Sequence, residues 1–234
     1  VKYFFWLAVI LLFCTSCRKD SESFADVRFQ IKYESDGKEL IFDTLLYDHP
    51  AGYKYSVSRI QFLISGLEAY SMHTQMQPEN VWFIDGAINI NSEFQLHAFP
   101  CKYYDNWSLT IGLDSNINKT GKLGNSEDFL NMAWPETMGG GYHFLKLEGM
   151  YKDSTGIHGY AIHIGGNGNE MKQEKLKAFT VKENNNEIIL HLNVNEFFKN
   201  PELYDFNKDG NYIMGYQTAM KKIAVNGRDV MFHD

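Results

Sequence analysis

Val27-Arg28-Phe29-Gln30-Ile31-Lys32-Tyr33 alternates an apolar side chain with a polar one at every step. A period of two places Val27, Phe29, Ile31 and Tyr33 on one face of an extended chain, which is how a strand with one buried side reads. Asp36-Gly37 follows as a hairpin turn signal, with Lys38 to Leu45 as the expected return strand. Outward from there the pattern repeats. Tyr55 to Ile64 reads as a long strand with Ile60, Phe62 and Ile64 on one face. Val81 to Ile84, Trp107 to Gly112, Tyr142 to Leu147, Gly159 to Ile164, Leu176 to Val181 and Glu187 to Val194 follow, with Asn184-Asn185-Asn186 as the last turn. Short strands at regular intervals with turn residues between them predict a mainly β fold, an antiparallel β-sandwich.

Helix is sparse. Asn195 is placed to cap a short turn through Phe198. Tyr212 to Val225 has helical spacing and stops at Asn226-Gly227, so a short C-terminal helix is expected there. Asn116 to Gly141 fits no strand ladder. It is rich in Gly, Asn and polar residues and reads as a long loop of the kind that is functional or disordered in compact domains. Gly139, Gly140 and Gly141 at its end would let the backbone turn sharply.

The N-terminus reads as an export signal. Lys2 precedes an apolar run from Tyr3 to Cys14 of about 12 residues, where a membrane-crossing helix needs about 20. Thr15-Ser16 are the small residues a lipoprotein signal peptidase requires before a cysteine, although Cys14 stands where Leu is usual. Residues 1–16 are therefore expected to be cleaved, Cys17 to carry the lipid, residues 17–25 to form a flexible tether, and residues 26–234 to form one domain. The implied location is the outer membrane, on its periplasmic face or at the cell surface. Only Cys101 then remains as a free thiol, so no disulfide forms within the domain. The net charge of −7 and the scatter of the basic residues argue against nucleic acid as a partner.

Met132, Trp134, Met138, His143, His158 and His163 lie close together in the sequence. Thioethers and imidazoles form a soft ligand set that suits copper. By strand parity His143 runs with Leu145 and Leu147 and is expected to face inward. His163 runs with the small residues Ala161 and Gly165, and His158 falls on the opposite face. His143 and His163 can meet if their strands pair. A histidine in a strand is more often an ordinary core or surface residue, and no C-x-x-C, H-x-H or H-E-x-x-H zinc pattern is present.

Four stretches resemble the MbnP-like copper-binding domain family. They are Val57 to Ser65 with Val81 to Asp85; Trp107 to Ser115; Asn131-Met132-Ala133-Trp134 through Gly141-Tyr142-His143-Phe144 to Glu148-Gly149; and His163-Ile164-Gly165. The resemblance implies a periplasmic or surface β-sandwich that holds copper. It also implies a tryptophan oxidised to kynurenine by a MauG-like di-haem cytochrome c peroxidase as partner. Carried onto this chain, it makes Trp134 the residue to be oxidised, with His163, His143 and Met132 as candidate copper ligands. This chain has Glu136 where the founding branch has a second tryptophan. No nucleophile–base arrangement or phosphate loop is present, so a non-catalytic protein is expected. The alternative is a carbohydrate- or protein-binding lipoprotein using the Gly-rich loop, with Tyr103, Tyr104 and Trp107 as a possible aromatic platform. Asp205-Phe206-Asn207-Lys208-Asp209-Gly210 matches half of a calcium loop, but Tyr216 stands where the closing Glu is required, so an acidic turn is the expected reading.

Overall fold

The computed structural model describes residues 22–72, 74–77, 79–86 and 92–233. The expected leader, Cys17 and residues 18–21 of the expected tether lie outside these residues, as does His73; Phe24 and Ala25, expected in the tether, already belong to the first strand. The main strands are β1 (Phe24–Ser35), β2 (Arg59–Ser71), β3 (Trp82–Asp85), β4 (Ser92–Pro100), β5 (Asn106–Ile111), β6 (His143–Lys152), β7 (Ile157–Gly165), β8 (Met171–Leu176), β9 (Asn186–Asn193), β10 (Tyr212–Ile213) and β11 (Met231–His233). The helices are α1 (Glu127–Asn131), α2 (Phe206–Asp209) and α3 (Gln217–Asn226).

The strands form two sheets, as expected of a sandwich. In one, β1 lies between β9 and β4, and β11 pairs with the far edge of β9. In the other the order is β8-β5-β2-β6-β7-β10, with β3 beside β2. Val27, Phe29 and Ile31 are fully buried, so the alternation that predicted β1 is the alternation that packs it. Most pairs are antiparallel. The exceptions are β1 with β9, where Val27 faces Asn186, and β7 with β10.

The register explains which expectations fail. The return strand predicted at Lys38 to Leu45 shrinks to Lys38–Glu39. That edge of β1 is taken mostly by β4, a strand not foreseen, whose Phe94 pairs with Phe29 and stacks on it at 4.6 Å. The strand expected at Leu176 to Val181 is divided: Leu176 ends β8, because Trp107 and Ile111 of β5 take Leu176 and Met171 as partners, and Phe179–Thr180 pairs separately with Tyr103–Tyr104. The C-terminal helix starts at Gln217 rather than Tyr212, since Tyr212 and Ile213 add a strand to β7 and the chain turns at Gly215 (φ +77°). The short turn at Asn195 is capped instead by the Asn193 side chain, which accepts from the Asn195 N–H.

The long segment from Asn116 to Gly141 is not an open loop. Ser126 caps α1 by accepting from the Phe129 N–H, and a 3-10 turn spans Glu136–Met138. Leu113, Met132 and Tyr142 pack on Leu63 of β2 and Phe144 of β6, forming a small second core on the outer face of the sheet. The segment is thus a folded cover. Its terminal glycines all have positive φ, at +106°, +68° and +87°, which bends the chain back into β6.

Candidate metal centre

The centre lies on the outer face of β6 and β7, under the end of this cover. On β6, Leu145 and Leu147 point into the main core. Strict alternation would send His143 with them, but the pairing slips by one residue between His143↔Gly165 and Leu145↔Ile164. A bulge sets two residues against one on the partner strand and breaks the alternation. His143 therefore lies on the face carrying Gly165 and His163, which corrects the inward orientation expected from parity. The expected meeting of the two histidines does occur: their ring centroids are 5.3 Å apart and the rings are perpendicular at 85°. His158 is on the opposite face, as parity predicted. It bonds Asp153 and Thr155 and lies against Tyr151.

Trp134 closes the pocket. Its indole meets His143 edge-on at 4.7 Å, and Nε1–H donates to the Met138 carbonyl at 3.2 Å. The ring lies directly on Gly165: a Cβ there would fall 2.5 Å from Trp134 Cε3, so only glycine permits this approach. Trp134 is 4% exposed and His143 5% exposed. Met132 contributes differently from expectation. Its side chain is fully buried in the second core, and its carbonyl accepts from the His143 backbone N–H at 2.6 Å. The same carbonyl stands 3.2 Å from His143 Nδ1.

That contact defines the His143 ring. A carbonyl only accepts, so Nδ1 carries the proton and donates, leaving the lone pair on Nε2. Nε2 is buried and has no hydrogen-bond partner. Burial, reinforced by the nearby Lys146 charge, pushes His143 down to about 4, so the ring is neutral at pH 7. A neutral, desolvated imidazole with an unused lone pair fits a metal ligand.

Three neighbouring groups were missed by the sequence reading. Glu148 accepts from His163 Nε2 at 2.8 Å and pairs with Arg59 Nη1 at 3.1 Å. Lys146 is buried and donates to the Asn131 carbonyl, and burial lowers its pKa. The one signal available was a charged residue at alternate positions of an otherwise apolar strand. Among the described residues no three of His, Cys, Asp or Glu gather into a metal-holding group.

Other candidates are accounted for by packing. Tyr104 and Trp107 are fully buried, so no aromatic platform forms with exposed Tyr103. Asp205 caps α2 and pairs with Lys208, and Asp209 pairs with Lys222, so the half calcium motif is an acidic turn already neutralised by lysines. His191 on β9 is likewise held by its neighbours. It stacks on Phe232 at 5.0 Å and meets Glu34.

Fold and pocket together define a two-sheet β domain that carries a perpendicular imidazole pair and an indole beneath a folded cover. The family model MbnP matches residues 24–215, and the chain belongs to that family. Among solved structures, MbnP from Methylosinus trichosporium is similar, with a TM-score of 0.53 and 14% identity over 77% of this chain and 80% of that one. At that identity the likeness is one of fold. No curated protein matches the chain.

Proposed function

We propose that this chain is an exported lipoprotein that holds copper between His143 and His163, beneath Trp134, without catalysing a reaction. The observation that carries the reading is the buried, unpartnered Nε2 of His143. Leaving such an atom unsatisfied costs about 1–3 kcal/mol, and folded proteins seldom tolerate it without an ion, water or ligand to satisfy it. Neutral imidazoles in a sheltered pocket suit copper. Two imidazoles do not complete a coordination sphere. The rest would come from the residue at position 134 once oxidised, from a thioether, or from solvent. Oxidation of Trp134 to kynurenine by a MauG-like di-haem peroxidase, with two equivalents of peroxide as oxidant, cleavage of the indole C2–C3 bond and loss of C2 as formate, would place ketone and aniline groups beside His143, where the indole now sits.

Titration of the purified chain with Cu(I) against a chromophoric chelator tests the site. The parent should take up close to one equivalent, and His143→Ala or His163→Ala should weaken binding by at least about tenfold. Parent-like affinity in both variants would sink the assignment. Intact mass of protein from its native host reads out the oxidation of Trp134. Palmitate labelling that disappears in Cys17→Ser reads out the anchor.

A further inference from the structure

We propose that Glu148, held by Arg59, is a positioning residue that decides which nitrogen of His163 faces a metal. The inference rests on the copper reading of the pocket and deepens it. Glu148 and Arg59 stand directly opposite each other on β6 and β2. On its other side Glu148 faces Ala161 of β7, whose small side chain leaves open the diagonal path to His163. The carboxylate uses that path: one oxygen, Oε1, meets both Arg59 Nη1 at 3.1 Å and His163 Nε2 at 2.8 Å. A carboxylate paired with a guanidinium offers only acceptors. His163 Nε2 must therefore carry the proton, and the lone pair of the neutral ring lies on Nδ1.

His143 is set the opposite way. The Met132 carbonyl stands at its Nδ1 and leaves Nε2 free. The two imidazoles thus present unlike nitrogens, Nε2 from residue 143 and Nδ1 from residue 163. Each is fixed by an acceptor on the far side of its ring, one from the cover and one from the neighbouring strand. Partners of this kind orient ligating histidines and raise their donor strength, and losing one typically costs 10–100-fold in metal affinity. Glu148 acts here through His163 and is not itself a ligand, because its near oxygen is already shared between two donors.

The test uses the full chain labelled with 15N-histidine. In the metal-free parent, at a pH high enough to leave the imidazole neutral, long-range 1H–15N spectra should show the His163 proton on Nε2. In Glu148→Leu the two ring nitrogens should shift toward each other as the tautomers mix, and Cu(I) affinity should fall 10–100-fold. On adding Cu(I) to the parent, the coordination shift should appear on Nδ1 of His163 and Nε2 of His143. A coordination shift on His163 Nε2, or an unchanged His163 tautomer in a folded Glu148→Leu chain, overturns the proposal. If that variant does not fold, Glu148→Ala takes its place, since it removes the acceptor beside the imidazole without adding bulk. An unchanged tautomer or an unchanged Cu(I) affinity in a folded Glu148→Ala chain also overturns it. A parent that shows the Nε2–H tautomer but takes up no Cu(I) refutes the copper reading and leaves the role of Glu148 standing.

Discussion

His49 shows how much a single buried ring can matter. It stacks on Tyr53 at 4.4 Å and packs against Phe206 at 4.6 Å and Phe198 at 4.9 Å. Its Nδ1 accepts from the Ala51 N–H, and its buried Nε2 has no hydrogen-bond partner. Burial pushes its pKa down to about 3, only partly offset by Asp205. The folded-state value lies below the ordinary 6.5, so the unfolded chain takes up the proton first as pH falls. The shifted pKa of His49 therefore takes almost nothing from stability at pH 7 and destabilises the fold progressively below about pH 6.5. At about 1.36 kcal/mol per unit, the loss between pH 7 and pH 4 is roughly 3 kcal/mol. Urea melts across that window should show the slope, and His49→Phe should flatten it; equal slopes in both chains would refute the assignment. Gly165→Ala makes a second residue-scale prediction. The added methyl would overlap the Trp134 ring, so the indole should be displaced at a cost of about 1–3 kcal/mol. A lower melting temperature with an altered near-ultraviolet tryptophan signal would be the readout.

At the scale of elements, the cover from Asn116 to Gly141 decides whether the pocket is sheltered. Asn118 anchors it: Oδ1 accepts from the Tyr142 N–H at 2.9 Å, and Nδ2 donates to Asn167 at 2.9 Å. Asn118→Ala would strand the buried Tyr142 N–H, which costs about 1–3 kcal/mol. That cost should fall on the cover and not on the sheets. Hydrogen exchange should accelerate at amides 118–142 while β1 and β9 stay protected, and copper affinity should drop because His143 follows Tyr142 directly. Uniform loss of protection would mean that the cover and the sandwich unfold as one unit. Much of the cover was legible in the sequence as a segment, since its glycines and polar residues break the strand pattern. Its folded character was not. Met132 within it and Leu113 and Tyr142 at its two ends show no shared period, and their partners Leu63 and Phe144 lie on β2 and β6.

At the scale of the whole molecule, closure depends on strands far apart in the chain. β1 receives β9 on one edge and β4 on the other, with Val27 opposite Asn186. Loops of that length must close before the pairing stabilises anything, so refolding should be slow, on the order of milliseconds to seconds. Stopped-flow refolding from urea measures this directly, and submillisecond completion would contradict it. Chains truncated after Asn185 should show no native near-ultraviolet signal, because β1 would lose its parallel partner.

Taken alone, the sequence determined that this is a strand-built chain, which face of each regular strand is buried, and which residues could form a soft-ligand site. Those properties follow from local alternation and from chemical type, both written in the order of residues. The tertiary structure alone decided where alternation breaks. The slip between His143 and Leu145 depends on how β6 pairs with β7, and it turns an apparently core-facing histidine onto the outer face beside His163. It also decided that Arg59 and Glu148 would meet His163, and that Met132 would offer a carbonyl rather than its sulfur to His143. Cross-strand register is set by the summed packing of the whole sheet, and a single strand read by itself contains no record of its neighbours.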